Sequence, residues 1–164
     1  SSTTDNNTNS ANKEKKTQKK EVKNLVKDIE YLTTDSNGNK YKILATSGGT
    51  NLKNNSILDL VNVRGTITSE DRSTIFIVSD FAEYNSGSLN SKFYENVVIN
   101  YENKQITCDN FDINLEKNIA IAYNDVVVTD PTSVMKAGEI ILDIKTKNIN
   151  INPNNKDKIN IITN

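Results

Sequence analysis

The 164-residue chain contains no His, no Trp and a single Cys, and these absences exclude several classes of enzyme. Without His there is no Ser-His-Asp or Cys-His pair to activate a nucleophile. One Cys and no His leave too few ligands for the usual zinc sites, and one Cys cannot form an intramolecular disulfide. We therefore expect a non-enzymatic protein with no metal site and no cofactor.

Charge and long apolar runs are also scarce. The net charge of -1 argues against a nucleic-acid-binding protein, which normally carries a basic stripe. No run approaches the roughly 20 apolar residues of a membrane-spanning helix. The chain begins with Ser1 rather than Met, which we interpret as a processed or trimmed chain with an upstream segment that is not seen.

Residues 1–24 are almost entirely polar, so we predict a disordered linker or juxtamembrane segment there and one domain over residues 25–164. Its lysine run either is a solvated linker, the commoner case, or touches anionic lipid headgroups beside a membrane anchor. Four apolar residues near its end could form one amphipathic helical turn. The lysines are Lys13, Lys15, Lys16, Lys19 and Lys20, and the apolar residues are Val22, Leu25, Val26 and Ile29.

After this segment, apolar residues alternate with polar ones in short runs, which is typical of β-strands. Asn37-Gly38 lies between the runs 28–34 and 40–46, and Asn-Gly is a strong hairpin signal. Further strands are predicted at 57–63, 67–68, 74–84, 96–101, 105–113, 119–123, 125–129, 139–145 and 149–151. This spacing predicts an all-β sandwich or open barrel.

A sequence repeat organises these strands. Units that begin at Ser79, Cys108 and Ala137 are separated by 29 residues, and a looser copy runs from Ala45 to Val63. Each unit is a strand, a turn and a second strand that opens with Asn or Asp. Because one unit cannot bury its apolar face alone, the copies are expected to share one continuous core.

Strand parity then predicts which side chains face the interior. With Ala82 and Tyr84 inward, the repeat places small and β-branched residues along a long apolar interior. That interior is either a lipid-binding groove or an ordinary closed core, and Cys108 is expected to be a small buried residue of it. The candidate lining residues are Val61, Val63, Ala82, Tyr84, Val97, Ile99, Phe111, Ile113, Val126, Val128, Ile140 and Leu142.

The carboxylates suggest two other kinds of site, and neither is favoured. Asp80, Asp109 and Asp143 recur near strand positions, where strand ends or bends explain them better than a glycosidase acid pair. Residues 35–39 lack the closing Glu of a calcium loop and are explained by the hairpin.

Several of these segments together resemble the LptC family. The similarity spans residues 26–152 and rests on the order and spacing of degenerate motifs. Ser79 stands where the family usually has Ala, and Glu95-Asn96 replaces a Gly-Asn pair. The matching segments are Tyr41-Lys42-Ile43-Leu44-Ala45, Val61-Asn62-Val63-Arg64-Gly65, Ser79-Asp80-Phe81-Ala82-Glu83-Tyr84-Asn85, Asn96-Val97-Val98-Ile99 and Ala137-Gly138-Glu139-Ile140-Ile141-Leu142.

The resemblance implies a twisted, partly open, V-shaped β-jellyroll whose interior holds the acyl chains of lipopolysaccharide. It implies a place at the periplasmic face of the inner membrane, with an N-terminal anchor beside the LptB/LptF/LptG transporter. Edge strands would pair with LptF at one end and LptA at the other. Gly138 would correspond to the family glycine that contacts the transporter.

Two other functions remain open at this point. The chain could be a soluble LptA-like bridge protein, in which a cleavable signal replaces the membrane anchor. It could instead be a non-enzymatic structural or adhesive β-repeat module with a closed hydrophobic core.

Overall fold

The computed structural model describes residues 26–153 and 161–163, which form ten β-strands in one antiparallel sheet. The sheet follows chain order from β1 to β8, and both β9 and β10 pair with the outer edge of β8. The strands are β1 Val26–Thr34, β2 Lys40–Thr50, β3 Ile57–Ser69, β4 Arg72–Asn85, β5 Ser91–Tyr101, β6 Lys104–Asn114, β7 Ile119–Thr129, β8 Ser133–Asp143, β9 Ile149–Asn152 and β10 Ile161–Thr163. The predicted all-β fold of antiparallel strand repeats is confirmed, and the sheet is open.

The strands are longer than the sequence pattern predicted, and one prediction near the start is wrong. Val26 and Ile29 lie in β1 rather than in a helical turn. The two runs predicted at 119–123 and 125–129 are halves of the single strand β7. Residues 133–138 of β8 were not predicted as strand at all. The predicted linker, residues 1–24, and the apolar residues Val22 and Leu25 lie outside the described residues.

A line of residues left out of the strand pairing, which we call the seam, crosses every strand from β1 to β8, and from β4 to β8 the register also shifts there. On alternate strands the seam residue is an Asn or Asp in the left-handed region, with φ between 52° and 56°. These two residue types tolerate that conformation best after glycine. The seam residues are Asp28, Thr46, Asn62, Asp80, Asn96, Asp109, Asp125 and Gly138.

The seam explains the 29-residue repeat. One hairpin of two strands separates Asp80 from Asp109, and Asp109 from Gly138, so these residues occupy the same point on β4, β6 and β8. The Asn or Asp that opens the second half of each unit is the left-handed residue of β5 or β7. Asn96 donates a 2.6 Å side-chain hydrogen bond to Asp80, which ties neighbouring strands together at the seam.

The seam divides the sheet into two halves that face each other. Half-sheet A contains the β1–β2, β3–β4, β5–β6 and β7–β8 turns, and half-sheet B contains the other turns and β9. Tyr31 of half-sheet A stacks on Tyr84 of half-sheet B with ring centroids 4.6 Å apart, although β1 and β4 are not neighbours in the sheet. Phe93 of half-sheet B similarly lies against Gly65 of half-sheet A. The apolar interior therefore lies between the two halves.

The β1–β2 turn is stabilised by one carboxylate. Asp35 accepts 2.9 Å hydrogen bonds from the backbone N–H groups of Asn37 and Asn39 and from the Asn39 amide, and a 3.1 Å bond from the Tyr41 hydroxyl. Asn39 in turn accepts from Ser69, and Arg72 donates to Ser69 at 2.9 Å. The network joins the β1–β2 turn to the β3–β4 turn at the rim of half-sheet A.

Replacing Asp35 with Ala is expected to lower the free energy of unfolding by about 2 kcal/mol, because the buried residues Asn39 and Tyr41 lose their hydrogen-bond acceptor. Burial alone raises the pKa of Asp35, but its hydrogen bonds from Asn39, Asn37 and Tyr41 hold that pKa below the ordinary value.

The stabilisation by Asp35 is therefore complete above about pH 4 to 5 and is lost as pH falls below about 3.9, the pKa in the unfolded chain. Urea denaturation across this pH range checks the expectation, with Asp35→Asn as the uncharged control. An equal loss of stability in Asp35→Asn and the unchanged protein on acidification would contradict it.

Candidate functional site

An apolar cavity of about 310 Å³ lies between the half-sheets at the β8–β9 side of the interior. Half-sheet A and half-sheet B each contribute six of its lining residues, so the cavity exists only because the halves face each other. An engineered apolar cavity of about half this size stays dry and binds benzene, so the space is large enough for a small apolar ligand. The lining residues are Ile75, Ile99, Tyr101, Lys104, Ile106 and Val128 of half-sheet A, and Phe111, Ala122, Ile140, Leu142, Ile149 and Ile151 of half-sheet B.

The opposite side of the interior is filled by side chains. The void near β1 and β2 measures only about 20 Å³, and the Tyr31–Tyr84 stack and Phe93 line it. Phe93 also packs on Phe111 with ring centroids 6.3 Å apart. The interior is thus a packed core on the β1 side and an open apolar space on the β8–β9 side.

Eleven of the twelve predicted lining residues are buried in the interior, and Val61 is the exception. Five of them line the large cavity, namely Ile99, Phe111, Val128, Ile140 and Leu142. Tyr84 and Ile113 line the small void instead. The remaining residues belong to the packed core, namely Val63, Ala82, Val97 and Val126.

Val61 was assigned inward by its alignment with Val97, and that placement is wrong. Val63 follows the left-handed Asn62 as Val97 follows the left-handed Asn96, so Val63 is the true counterpart of Val97. Val61 lies before the seam, is partly exposed, and pairs with the partly exposed Phe81. In β3 the inward-facing residues are Leu60 before the seam and Val63 after it, so the seam shifts the alternation of inward and outward side chains by one residue.

The 29-residue sequence repeat does not identify seven of the residues that line the cavity. Ile75 and Ile106 lie toward the strand ends, beyond the aligned units, and simple alternation from Ile77 and Cys108 finds both. Ile149 and Ile151 belong to the short strand β9, which was predicted, but they do not lie 29 residues after Val126 and Val128, so the repeat did not assign them to the lining. The other missed residues are Tyr101, Lys104 and Ala122.

Gly138 lies on the seam in β8, in a segment whose outer edge is unpaired in the described residues. Strand β9 pairs with residues 139–142 of β8, and β10 pairs with residues 133–135. A partner strand could therefore reach only a short stretch of β8 around Gly138, whereas the outer edge of β1 is unpaired over Val26–Thr34 in the described chain.

One charged residue lines the cavity, and a separate ion pair joins the ends of the two half-sheets. Lys104 is the only charged side chain among the lining residues. Lys147, in the β8–β9 turn, forms a 2.6 Å ion pair with Asp71 in the β3–β4 turn, and this contact joins the rims of the two half-sheets. The hydrogen bond from Lys147 holds the pKa of Asp71 below its ordinary value.

The single thiol lies in the packed interior, as expected. Cys108 is 5% exposed, and burial raises the pKa of its thiol to about 12. A thiol with that pKa stays protonated at neutral pH and is a poor nucleophile. Among residues 26–153 and 161–163, no group of His, Cys, Asp or Glu side chains is arranged to hold a metal ion. The same residues contain no helix long and apolar enough to cross a membrane.

Comparison with known proteins identifies the family. Residues 1–157 match the family model described as "Lipopolysaccharide-assembly, LptC-related". No curated protein sequence matches the chain. A similar solved structure is LptH, described as the LptA-homologous periplasmic component of the lipopolysaccharide transport device of Pseudomonas aeruginosa. It aligns with a TM-score of 0.53 and 9% identity over 74% of this chain and 93% of LptH, which shows a shared fold. The resemblance found in the sequence is confirmed, and the chain belongs to the LptC-related family of lipopolysaccharide-assembly proteins.

Proposed function

We propose that this protein carries the acyl chains of lipopolysaccharide in the apolar cavity and passes them along a periplasmic bridge. Its family and its LptA-like fold support a role in lipopolysaccharide transport. The observation that carries the proposal is the cavity of about 310 Å³, whose lining side chains are apolar except for Lys104 and the hydroxyl of Tyr101. A lipid conduit needs such a dry space and no reactive group.

The remaining parts of the proposal follow the family. The protein would stand at the periplasmic face of the inner membrane, held by an N-terminal anchor, and receive lipid from an LptB/LptF/LptG transporter. Neighbouring jellyrolls would join by edge-strand pairing. The edge of β1, to which no other described strand pairs, suits this contact better than the β8 edge, which β9 and β10 largely cover. Gly138 is proposed as a partner contact in the uncovered stretch.

Photo-crosslinking to lipopolysaccharide tests the cavity. A photoreactive residue at Val128 should give an adduct, whereas one at the adjacent Val127 should give none, because the two side chains lie on opposite faces of β7. Leu142 is a second cavity position on the other half-sheet.

Two outcomes would refute the lipid-carrying proposal. Equal adducts at Val127 and Val128 would indicate binding that does not use the interior. No adduct at any cavity position would favour the alternative of a structural β-repeat module with an unused interior.

A further inference from the structure

The outer surface of half-sheet A combines exposed apolar side chains with basic ones. Strand register places its outward residues in two rows that cross from β1 to β8. We call this surface face A. Its rows are Glu30, Leu44, Arg64, Val78, Val98, Thr107, Val127 and Lys136, and Leu32, Lys42, Thr66, Phe76, Asn100, Gln105, Thr129 and Val134, with Lys40 at the edge.

The apolar residues of face A are unusually exposed for an outer sheet surface. Leu32 is 64% exposed, Phe76 is 52% exposed and Val78 is 45% exposed. Val78 pairs directly with the partly exposed Val98, so the apolar surface is continuous from β4 to β5. Contiguous apolar patches on a soluble domain usually mark an interaction surface.

Among the outward residues of the strands, basic and acidic side chains are segregated between this surface and the rest of the sheet. Face A carries four basic residues and one acidic residue, Glu30, which lies 3.8 Å from Lys42. The seam and the outer side of half-sheet B together form what we call the acidic surface. Its charged residues that are not buried are Asp28, Asp80, Glu83, Glu95, Asp109, Asp112, Asp125, Glu139 and Asp143, against Lys27 and Lys92. The net charge of -1 for the whole chain does not reveal this separation of basic and acidic residues.

The acidic surface also has an apolar centre. Phe81 and Tyr94 stack there with ring centroids 5.6 Å apart, and both are partly exposed beside Val61. Tyr123 extends the row on β7 and donates a 3.0 Å hydrogen bond to Asp112. Face A and the acidic surface therefore match in both properties, basic against acidic and apolar against apolar.

We propose that face A of one molecule docks on the acidic surface of a second copy of this chain. The charge complementarity of the two surfaces carries this choice, because one chain supplies both sides of the contact. Eight strands spaced about 4.8 Å apart make face A about 34 Å wide, comparable with a standard protein interface. Because the two surfaces differ, the contact is head-to-tail and extends into open chains of molecules.

Two double charge reversals test the proposal in the full chain. Arg64→Glu with Lys136→Glu leaves face A with more acidic than basic residues, and Asp109→Lys with Glu139→Lys removes more than half of the net negative charge of the acidic surface. Each variant alone should weaken self-association at least about tenfold, because the first places like charges opposite each other and the second removes much of the attraction. Light scattering coupled to size-exclusion chromatography measures the change against the 18.3 kDa monomer.

Mixing the two variants gives the sharper result. Each retains one intact surface, so the intact face A of one variant can dock on the intact acidic surface of the other, and an equimolar mixture should form a dimer that neither variant forms alone. Lys27→Glu with Lys92→Glu is the matched control and should not weaken association. Phe76→Thr with Val78→Thr should weaken association without changing any charge.

Three results would overturn the proposal. The first is a monomer at all concentrations, even at low salt. The second is association that survives both charge reversals, as edge-strand pairing would. The third is association that is lost only when the lysines of residues 13–20 are neutralised. Failure of these experiments would leave the lipid-crosslinking test of the cavity unaffected, because that test depends on the interior.

Discussion

Replacing Phe93 with Ala is expected to lower the free energy of unfolding by about 4 kcal/mol, enough to leave a typical domain largely unfolded on mild heating. Phe93 is 1% exposed and lies between the two half-sheets, against Phe111 and the backbone of Gly65. Its removal leaves a void on the packed side of the interior, which the strands cannot close without moving both half-sheets.

Phe76→Ala provides the matched control for this change. Phe76 is 52% exposed on the outer surface of β4, so the same truncation there should cost less than about 1 kcal/mol. Urea denaturation followed by circular dichroism or tyrosine fluorescence measures both variants, since the chain has no Trp. Similar costs at the two positions would show that the half-sheets do not depend on Phe93 to stay together.

Replacing Ala122 with Leu is expected to weaken lipid binding roughly tenfold or more, because the added carbons occupy the cavity that the acyl chain would fill. Ala122 lines the cavity and pairs with Phe111 and Ile140, which line it too. Filling existing space should not lower the stability of the domain. Displacement of a fluorescent fatty acid by lipopolysaccharide measures the affinity.

Ala120→Leu makes the same substitution two residues away on the same inward face of β7. Ala120 is fully buried and does not line the cavity, so the larger side chain should overpack the core and cost about 1 to 3 kcal/mol. Unchanged lipid affinity in Ala122→Leu would refute the cavity as the binding site. A loss of stability equal to that of Ala120→Leu would show that the cavity has no usable space.

The alternation of apolar residues was sufficient to predict the all-β fold and most of the interior. Positions such as Ile99 and Leu142 follow directly from it, because each lies within a regular half-strand. Alternation fails at the seam, where a left-handed residue such as Asn62 shifts the inward face by one position and moved Val61 outside. The sequence shows Asn there but gives no sign of its backbone conformation.

The division of the interior into a packed side and an open side also could not be predicted. Tyr84 and Leu142 have equivalent places in the repeat, yet only Leu142 lines the large cavity. The difference depends on what faces each residue across the interior: Tyr31 stacks on Tyr84 and fills the space there. Such contacts join residues far apart in the chain, and strand parity carries no information about them.

The seam also determines how such a protein could lengthen over evolution. Because each 29-residue unit crosses the seam twice and returns to the same point, duplication of one unit would add two strands without disturbing the parity of any other. The sheet would widen by about 9.6 Å, two strand spacings, with the same bend in every strand. Insertion of an odd number of residues within a strand would instead turn part of that strand inside out. Gene duplication in whole units is therefore the route by which this architecture can acquire a longer interior.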